Sequence, residues 1–466
     1  MRLADIVSVA VRQSPDLARA KIDLAAAKAQ LLQAEGIEDT HISGQGTTTI
    51  SQGPSEDPQG NIDTEHAEVS ASKALSTGGT VSLSVVGDRV KSTANSIIDG
   101  VVVPTSYKRD SVNLEVGITQ PLLRGAGSAA FETKIHQAEK QRDAAALAHE
   151  ASARELIVSI SQAYWQVAFA WRQLEVRKAS LELAAKQLEY TEGLIRAEKV
   201  ARSEALAVQQ VIAVRKQDVI AGEQELYERS ISLRQLAGLE IGPDDLALST
   251  DVLPLKVDAA RIEMAAVVRA AFEHSAQLAS LEASRHAAEL AVAASDNAAR
   301  SKLDVNVAAG IQGASHRFDL AFPNMFTNPG WVVIGGVTFD HAIEGRTERG
   351  GQEIARAALL QAQINERDAR AKLALRATRA VQRAQAALAS IALSDEAIGL
   401  AEQNVTAEQK KFELGKSTNN EVLRRQDELE QSRLRQATAV TDYLSARADL
   451  DGLGGTILAR YGIVMP

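Results

Sequence analysis

The sequence predicts an α+β fold in which one unit, made of strands, a very long helix and a shorter return helix, occurs twice. Three observations predict it: an internal repeat, long stretches whose apolar residues recur at helical spacing, and intervening stretches in which they alternate. Residues 411–423 align without a gap with residues 194–206, about 217 positions earlier. A duplication of this length indicates internal pseudo-symmetry, which favours a tube or scaffold over a single enzyme pocket.

Four helices dominate the predicted structure. Two long helices are expected at 128–192 and 347–411; neither contains proline, and each is roughly 98 Å long at 1.5 Å per residue. Two return helices are expected at 202–237 and 419–452, and each is about half as long as its partner. A return helix therefore leaves part of the apolar stripe of the long helix uncovered.

Shorter helices are expected to cover the rest of that stripe. The first repeat has a helical segment at 3–36, in which Pro15 marks a restart because proline fits the first turn of a helix and breaks an interior one. The second repeat has a helix at 276–300. Each repeat is thus predicted to pack one long helix against two shorter ones; the alternative is a set of independent coiled coils joined by linkers.

The domain organisation follows from these elements. The first repeat is expected to span residues 1–240 and the second residues 261–455. A connector at 241–260 joins them, and a tail at 456–466 follows. Because the halves repeat each other, we expect one composite body rather than separate domains.

Between the helices the hydrophobic period changes from 3.6 to 2, which predicts β regions at 41–120 and 303–340. The alternation is strict at 112–119, where apolar residues alternate with small or polar ones. Strands with one apolar and one small polar face suit the wall of a transmembrane β-barrel. A half-buried sheet of a soluble protein alternates in the same way, so both interpretations remain open here. The first β region is the longer one and has room for one further hairpin.

The segment 318–326 together with Trp331 holds a large share of the few aromatic residues. We expect it to be a loop between two strands. Its rings suit an anchor at a membrane surface, where aromatic side chains settle at the headgroup level. A small core within the loop is the other interpretation.

Composition excludes several classes of function. The net charge of −9 and the pI near 5.6 argue against a nucleic-acid partner, which favours a basic surface. The absence of cysteine excludes disulfides and thiolate chemistry. No run approaches 18 apolar residues, so no membrane-spanning helix is expected. Residues 1–6 already read as an amphipathic helix, so we expect either a cytosolic protein or, preferably, one whose signal peptide has been removed.

Signals of catalysis are weak. Residues 415–418 resemble the end of a phosphate-binding loop, but Lys410 stands where that loop needs its first glycine. The eight histidines are scattered without the spacing of metal ligands. We therefore expect no enzyme activity, no cofactor and no metal.

Four motifs, in this order and with this duplication, resemble the TolC-like outer-membrane efflux protein family, the outer membrane factors. The opening segment 3–17 resembles the start of the mature family sequence, and 119–125 its strand-to-helix junction. Residues 163–167 resemble the aromatic pair on its first long helix, and 411–423 its helix-tip signature, with an aromatic residue, a glycine and an acid. The resemblance covers essentially the whole chain.

The resemblance implies a homotrimer whose strands form a transmembrane β-barrel in the bacterial outer membrane. An α-helical barrel then continues it as a tunnel into the periplasm. It further implies a passive export conduit of a tripartite efflux pump or type I secretion system. The expected partners are a periplasmic adaptor (membrane fusion) protein, an inner-membrane pump and outer-membrane lipid, with no nucleic acid. The alternative class of function is a soluble periplasmic coiled-coil adaptor or scaffold.

The resemblance also implies a gate at the periplasmic helix tips. Glu204 and Glu421 occupy the acidic tip positions of the family, where a ring of carboxylates can set cation preference. Such residues also stabilise the N-terminal end of a helix, which is the structural alternative. Arg424 stands at a second, often acidic position beside Arg425, and either arginine can pair with Glu421.

The turns at the helix tips are the expected contacts of the adaptor. Phe412 is predicted to anchor the second turn, and Gly415 to supply the permissive backbone that it needs. In the first repeat Glu198 replaces that glycine, so the first turn is expected to differ, which puts adaptor docking there in question. The residues assigned to these turns are Ala197, Glu198, Lys199, Phe412, Leu414, Gly415 and Lys416.

Overall fold

The computed structural model of the protein describes residues 2–52, 61–98, 101–240, 247–257 and 262–463. Residues 241–246 and 258–260 of the predicted connector lie outside the described residues, as do the last three residues of the tail. The same holds for two short parts of the first β region, at 53–60 and 99–100.

The chain forms two compact units. The helical unit contains residues up to 25, residues 144–282 and residues from 365 onward. The sheet unit contains residues 26–143 and 283–364. The two units do not correspond to the two predicted repeats, because each long helix contributes residues to both units. The division into repeats therefore stays a prediction.

Ten α-helices and six strands are described. The helices are α1 Leu3–Gln13, α2 Pro15–Glu35, α3 Ser128–Arg196, α4 Ser203–Ala237, α5 Met264–His274, α6 Ala276–Ala298, α7 Phe318–Thr327, α8 Arg346–Glu413, α9 Asn419–Leu453 and α10 Ile457–Arg460. The strands are β1 Thr40–Ser51, β2 Asn61–Ala74, β3 Thr80–Ile98, β4 Val101–Pro121, β5 Lys302–Ser315 and β6 Gly330–Asp340. The first β region thus holds four strands and the second holds two. No helix among the described residues is long and apolar enough to cross a membrane.

The helix breaks near residues 14 and 275 arise in two different ways. Pro15 opens α2 directly after α1, as a residue with no N–H to donate can do at a first helical position. Between α5 and α6 no proline is present, and Ser275 instead accepts a hydrogen bond from the Leu278 N–H on its Oγ at 3.1 Å. This is the usual N-cap contact of serine, and it satisfies an N–H group that the helix leaves unpaired.

The core of the helical unit lies where α1 packs against α3 and α4. Ile6 and Val7 of α1, Ile157 and Ile160 of α3 and Leu233 of α4 are fully buried. Burying a side chain of this size contributes about 1.5–3 kcal/mol. The apolar spacing along α1 and α3 therefore positions the long helix in this unit.

The sheet is antiparallel, with the strands in sequential order from β1 to β6. The register aligns Val85, Leu114, Ile311 and Trp331 in one row across β3 to β6. Because successive side chains point to opposite faces, this row fixes one side of the sheet, here called the apolar face. The opposite side carries residues such as Ser84 and is called the polar face.

The prediction that the aromatic segment is a connecting loop is wrong, because the segment forms the helix α7. The segment was expected to be a loop because it connects two predicted strands. Ala321 and Met325, one helical turn apart, are instead buried against Val112 of the sheet. Packing of one helix face, rather than helix propensity, stabilises this element.

Candidate functional site at the helix tips

The turn between α8 and α9 closes the second helix hairpin with a left-handed residue. Gly415 has φ +69°, and its N–H donates to the Phe412 carbonyl at 3.0 Å. The Lys416 N–H donates to the Lys411 carbonyl at 2.8 Å. This pair of bonds is the Schellman pattern, which satisfies the last carbonyl groups of a helix. The predicted role of Gly415 is confirmed at the level of the backbone.

The turn between α3 and α4 has the same backbone, although no glycine is present. Glu198 adopts φ +57°, and it is the one non-glycine residue with a positive φ among the described residues. Its N–H donates to the Ile195 carbonyl at 3.0 Å, and the Lys199 N–H donates to the Leu194 carbonyl at 2.9 Å. The expectation that the first turn differs is therefore wrong. A left-handed conformation costs a residue with a Cβ about 1–2 kcal/mol, and the hydrogen bonds of the hairpin offset this cost.

Phe412 anchors the second turn by burial. Its side chain is only 4% exposed, and its ring centroid lies 5.9 Å from that of Tyr190 on α3. The ring thus joins the end of α8 to the neighbouring long helix within the helical unit. The other residues assigned to the turns are exposed, and they are Ala197, Glu198, Lys199, Leu414, Gly415 and Lys416.

A carboxylate that the sequence analysis missed closes the second turn from inside. Glu408 is buried; it accepts a hydrogen bond from the Ser417 Oγ at 2.5 Å and contacts the Lys411 Nζ at 3.0 Å. The Ser417 hydroxyl, followed by the Lys411 ammonium, lowers the pKa of Glu408 below its ordinary value. The ionised form is thus favoured in the folded turn, so its contribution is present above the ordinary pKa and is lost as the pH falls through the lowered one. The signal in the sequence was its position one helical turn before Phe412.

Asn419, the first residue of α9, is the centre of a buried polar network and is completely buried. Its Oδ1 accepts hydrogen bonds from Gln187 Nε2 at 2.7 Å and from Thr191 Oγ1 at 3.0 Å, both on α3. Its Nδ2 donates to Glu204 Oε2 on α4 at 3.1 Å. One amide therefore links three helices directly behind both tips.

The structure places Glu204 in this network. Its side chain is half-buried, and one of its carboxylate oxygens accepts the hydrogen bond from Asn419. It also lies in the first turn of α4, where a negative charge is favourable beside unpaired N–H groups. These contacts belong to a structural role, and a contribution to gating stays a prediction.

Glu421 pairs with one of the two candidate arginines. Arg424 Nη2 lies 2.7 Å from Glu421 Oε2, whereas Arg425 Nη1 lies 2.8 Å from Glu428 Oε2. The Glu421 and Arg424 side chains are about half exposed. An exposed pair of this kind contributes about 0.2–1 kcal/mol, so it neutralises local charge more than it stabilises the tip.

A second polar link, deeper in the bundle, was also missed. Arg215 of α4 is 4% exposed. Its Nη2 lies 2.5 Å from Asp427 Oδ1 on α9, and its Nη1 donates to the Ser180 carbonyl on α3 at 2.5 Å. The signal was its position on the buried stripe of α4, between Val208 and Gly222 at heptad spacing. Leaving such a charge buried without its partner costs about 3–5 kcal/mol.

None of these clusters has the composition of a metal centre. Across the described ranges, no group of three or more histidine, aspartate or glutamate side chains could hold a metal ion. Glu204, Glu408 and Glu421 are instead paired with amide, hydroxyl, ammonium or guanidinium groups. These polar contacts can hold α3, α4 and α9 together, and breaking the contacts would release the helices from one another.

The strained turn gives a testable prediction. We expect Glu198→Gly to slow amide hydrogen exchange in residues 194–199 by about fivefold, because relief of about 1 kcal/mol of backbone strain stabilises the closed turn. Glu198→Ala removes the same carboxylate but keeps a Cβ in the left-handed region, so it controls for charge. Equal protection in the glycine and alanine variants would show that the carboxylate, not the backbone, sets the local stability.

Comparison with known proteins finds one family match over part of the chain and several solved structures with a similar fold. Residues 67–239 match the model of the outer membrane efflux protein family. No curated protein sequence matches the chain. Among solved structures, the chain is similar to the outer membrane protein VceC from Vibrio cholerae, with a TM-score of 0.71, 16% identity and coverage of 97% of this chain and 96% of that one.

Two further structures share the fold. The CmeC outer membrane channel of Campylobacter jejuni has a TM-score of 0.67 at 12% identity, covering 97% of this chain and 85% of that one. The open state of the MtrE outer membrane channel of Neisseria gonorrhoeae has a TM-score of 0.61 at 14% identity, covering 98% and 89%. At these identities the structures show the fold, and together with the family match they confirm the resemblance of the chain to the TolC-like outer-membrane efflux proteins.

Proposed function

We propose that this chain is the outer-membrane channel-tunnel of a tripartite efflux pump or type I secretion system. In this role it is a passive conduit, gated at the helix tips and driven by a partner in the inner membrane. The observation that carries the proposal is a sheet with an exposed apolar face and two open edges. The comparisons support it, because two of the similar structures are described as outer membrane channels.

The apolar face has the chemistry of a surface that contacts lipid. The exposed fractions include 49% for Val116, 50% for Val307 and 69% for Val337. A soluble sheet buries such a face against another layer of structure. From Leu303 to Ile311 the apolar positions extend over roughly 26 Å of strand, close to the ~25 Å band of outer-membrane proteins.

The open edges require further copies of the chain. β1 is exposed at all 12 of its residues and β6 at all but one, and neither has a strand on its outer side in the described sheet. Unpaired backbone groups are not tolerated in contact with lipid. Pairing β1 of one copy with β6 of the next keeps the antiparallel alternation. Three six-stranded sheets supply eighteen strands, and barrels of about 16–18 strands leave an aqueous channel.

The long helix α8 supports assembly as well. Its exposed apolar residues fall within roughly one third of the helix circumference at 3.6 residues per turn. An exposed stripe of this length is typical of a surface that packs against another helix. The residues of the stripe are Ile354, Leu360, Ile364, Leu375, Leu393 and Leu400.

The helix tips supply the proposed gate and the adaptor contacts. The exposed side chains at 197–199, with Leu414 and Lys416, form the surface offered to a periplasmic adaptor. Asn419 and Arg215 tie α4 to both α3 and α9, so opening has to break these links or move the linked helices together. The contacts behind the tips thus set the free-energy cost of opening the gate.

Membrane assembly tests the proposal. We expect Val116→Arg to reduce trimer assembly at least tenfold, because a charge near the middle of the bilayer costs about 2–4 kcal/mol. Ser84→Arg places the same side chain on the polar face and should leave assembly near the wild-type level. The measurement is molar mass by light scattering in detergent, where the assembled species is three times the 49.7 kDa chain.

A stable, monodisperse monomer or dimer in plain buffer, unaffected by Val116→Arg, would instead support the soluble coiled-coil scaffold.

Conductance tests the gate. We expect Asn419→Ala to raise the conductance of the reconstituted trimer severalfold, because it removes the hydrogen bonds that join this amide to Gln187 on α3 and to Glu204 on α4. Leaving a buried polar group without its partner costs about 1–3 kcal/mol. Asn420→Ala, on the exposed neighbouring residue, is the matched control.

A substitution at Glu204 distinguishes the two roles considered for the acidic tip, a structural contact and a ring of carboxylates. Glu204→Gln keeps an oxygen for Asn419 and should conduct like the wild type if the side chain is a strut. A loss of cation preference in Glu204→Gln, together with wild-type conductance in Asn419→Ala, would favour a ring of carboxylates over the buried network.

A further inference from the structure

The helix α7 lies flat on the apolar face of the sheet, over β4 and β5. Ala321 and Met325 are buried against Val112 and complete a small cluster there. The approach is close at Gly313, where an added Cβ would lie 2.2 Å from the Ala321 carbonyl oxygen. Asn324 Nδ2 also donates to the Ala314 carbonyl at 3.0 Å. The position of α7 is therefore fixed by backbone contact and packing.

The side of α7 that flanks its buried side is aromatic and partly exposed, and it begins with Phe318, which lies over Gly87 of β3. Phe318, Phe322 and Phe326 follow each other at a spacing of one helical turn, and their exposed fractions are 48%, 52% and 63%. The Phe322 and Phe326 rings contact each other with centroids 5.6 Å apart. Trp331, at the start of β6, is 81% exposed. The segment thus has one side buried against the sheet and an exposed aromatic side next to it.

A row of charges ends the apolar face beside α7. Arg89 lies 2.8 Å from Asp110 Oδ1 and 3.0 Å from Glu65 Oε2, which places paired charges across β2, β3 and β4. Lys108 joins them at 3.4 Å from Asp110 Oδ2. The Arg89 guanidinium lies 5.9 Å from the centre of the Phe318 ring. Charged side chains are costly within the hydrocarbon and are found at its edges, so this row marks where the apolar band stops.

We propose that α7 is an interfacial helix whose phenylalanine side inserts between lipids at the membrane surface and sets the depth of the sheet. The inference rests on the proposed function, since it needs the apolar face to contact lipid. Aromatic side chains concentrate at the boundary between acyl chains and headgroups, which is where the charged row places them. The occupant is lipid rather than a second copy of the chain, because α7 covers the interior strands and not the edge strands where copies join.

Depth-dependent fluorescence quenching tests this placement, and the absence of cysteine allows single-cysteine labelling. The three sites are Phe322→Cys on α7, Val116→Cys on the apolar face and Ser84→Cys on the polar face. Each carries a bimane label in phosphatidylcholine vesicles that contain a quencher either at the headgroup or deep in the acyl chain. We expect the label at 322 to be quenched about twofold more by the shallow quencher, and the label at 116 more by the deep one. Neither quencher should reach the label at 84.

The outcomes separate the inference from the function on which it rests. Quenching at 116 without quenching at 322 would overturn the interfacial helix and leave the channel in place. Stronger deep than shallow quenching at 322 would overturn the depth-setting role. An absence of quenching at both sites would contradict the membrane channel itself.

A second variant displaces α7 without touching its aromatic side. Gly313→Ala pushes a Cβ into the α7 backbone, whereas Gly335→Ala, on β6 of the same face, meets nothing within 4 Å. In the Phe322→Cys background, Gly313→Ala should reduce shallow quenching at least twofold, and Gly335→Ala should not. Unchanged quenching in Gly313→Ala would show that the label reports lipid near the strands and not the seated helix.

Discussion

The N–H and C=O groups along the outer sides of β1 and β6 have no strand partner in the described sheet, and the proposed assembly depends on them. Six sequential antiparallel strands satisfy every internal edge, but they expose one at each end. In water such edges invite aggregation, and in lipid they are prohibitive. Closure by further copies satisfies both edges at once and leaves the apolar face outside and the polar face inside. The open edges, the exposed valines and the aromatic helix α7 then follow from one constraint.

The helical unit is held together differently, by few but specific polar contacts. Seams rich in alanine let long helices approach closely, but they provide little to fix one helix lengthwise against the next. Asn419 and Arg215 supply that register, because each satisfies its buried groups only when α3, α4 and α9 stand at matching heights. Buried polar groups of this kind can contribute more to the choice of one arrangement than to net stability. The same contacts are the natural place for a helix bundle to resist or permit opening.

Periodicity was sufficient to predict the long helices and the alternating strands, because both signals are local and repeated along many residues. The turn at Glu198 was mispredicted, since residue identity suggested a different backbone while the geometry of the hairpin imposed the left-handed one. The helix α7 was mispredicted because Pro323 weakens local helix propensity, and only the contact of Ala321 and Met325 with the sheet compensates. The partners of Glu204 and Arg215 come from helices distant in sequence, and one sequence does not pair such residues.

The two tips reach one backbone geometry at unequal cost, and this difference bears on what the first tip does. Glycine at 415 adopts the left-handed conformation without strain, whereas Glu198 meets it with a side chain that is exposed. Residues held in unfavourable backbone regions concentrate where a side chain is needed for function. A glycine at 198 would give a more stable turn but would present no carboxylate at the tip. We therefore propose that the side chain of Glu198 contributes to the adaptor contact. It makes the first tip chemically distinct from the second, although their backbones coincide.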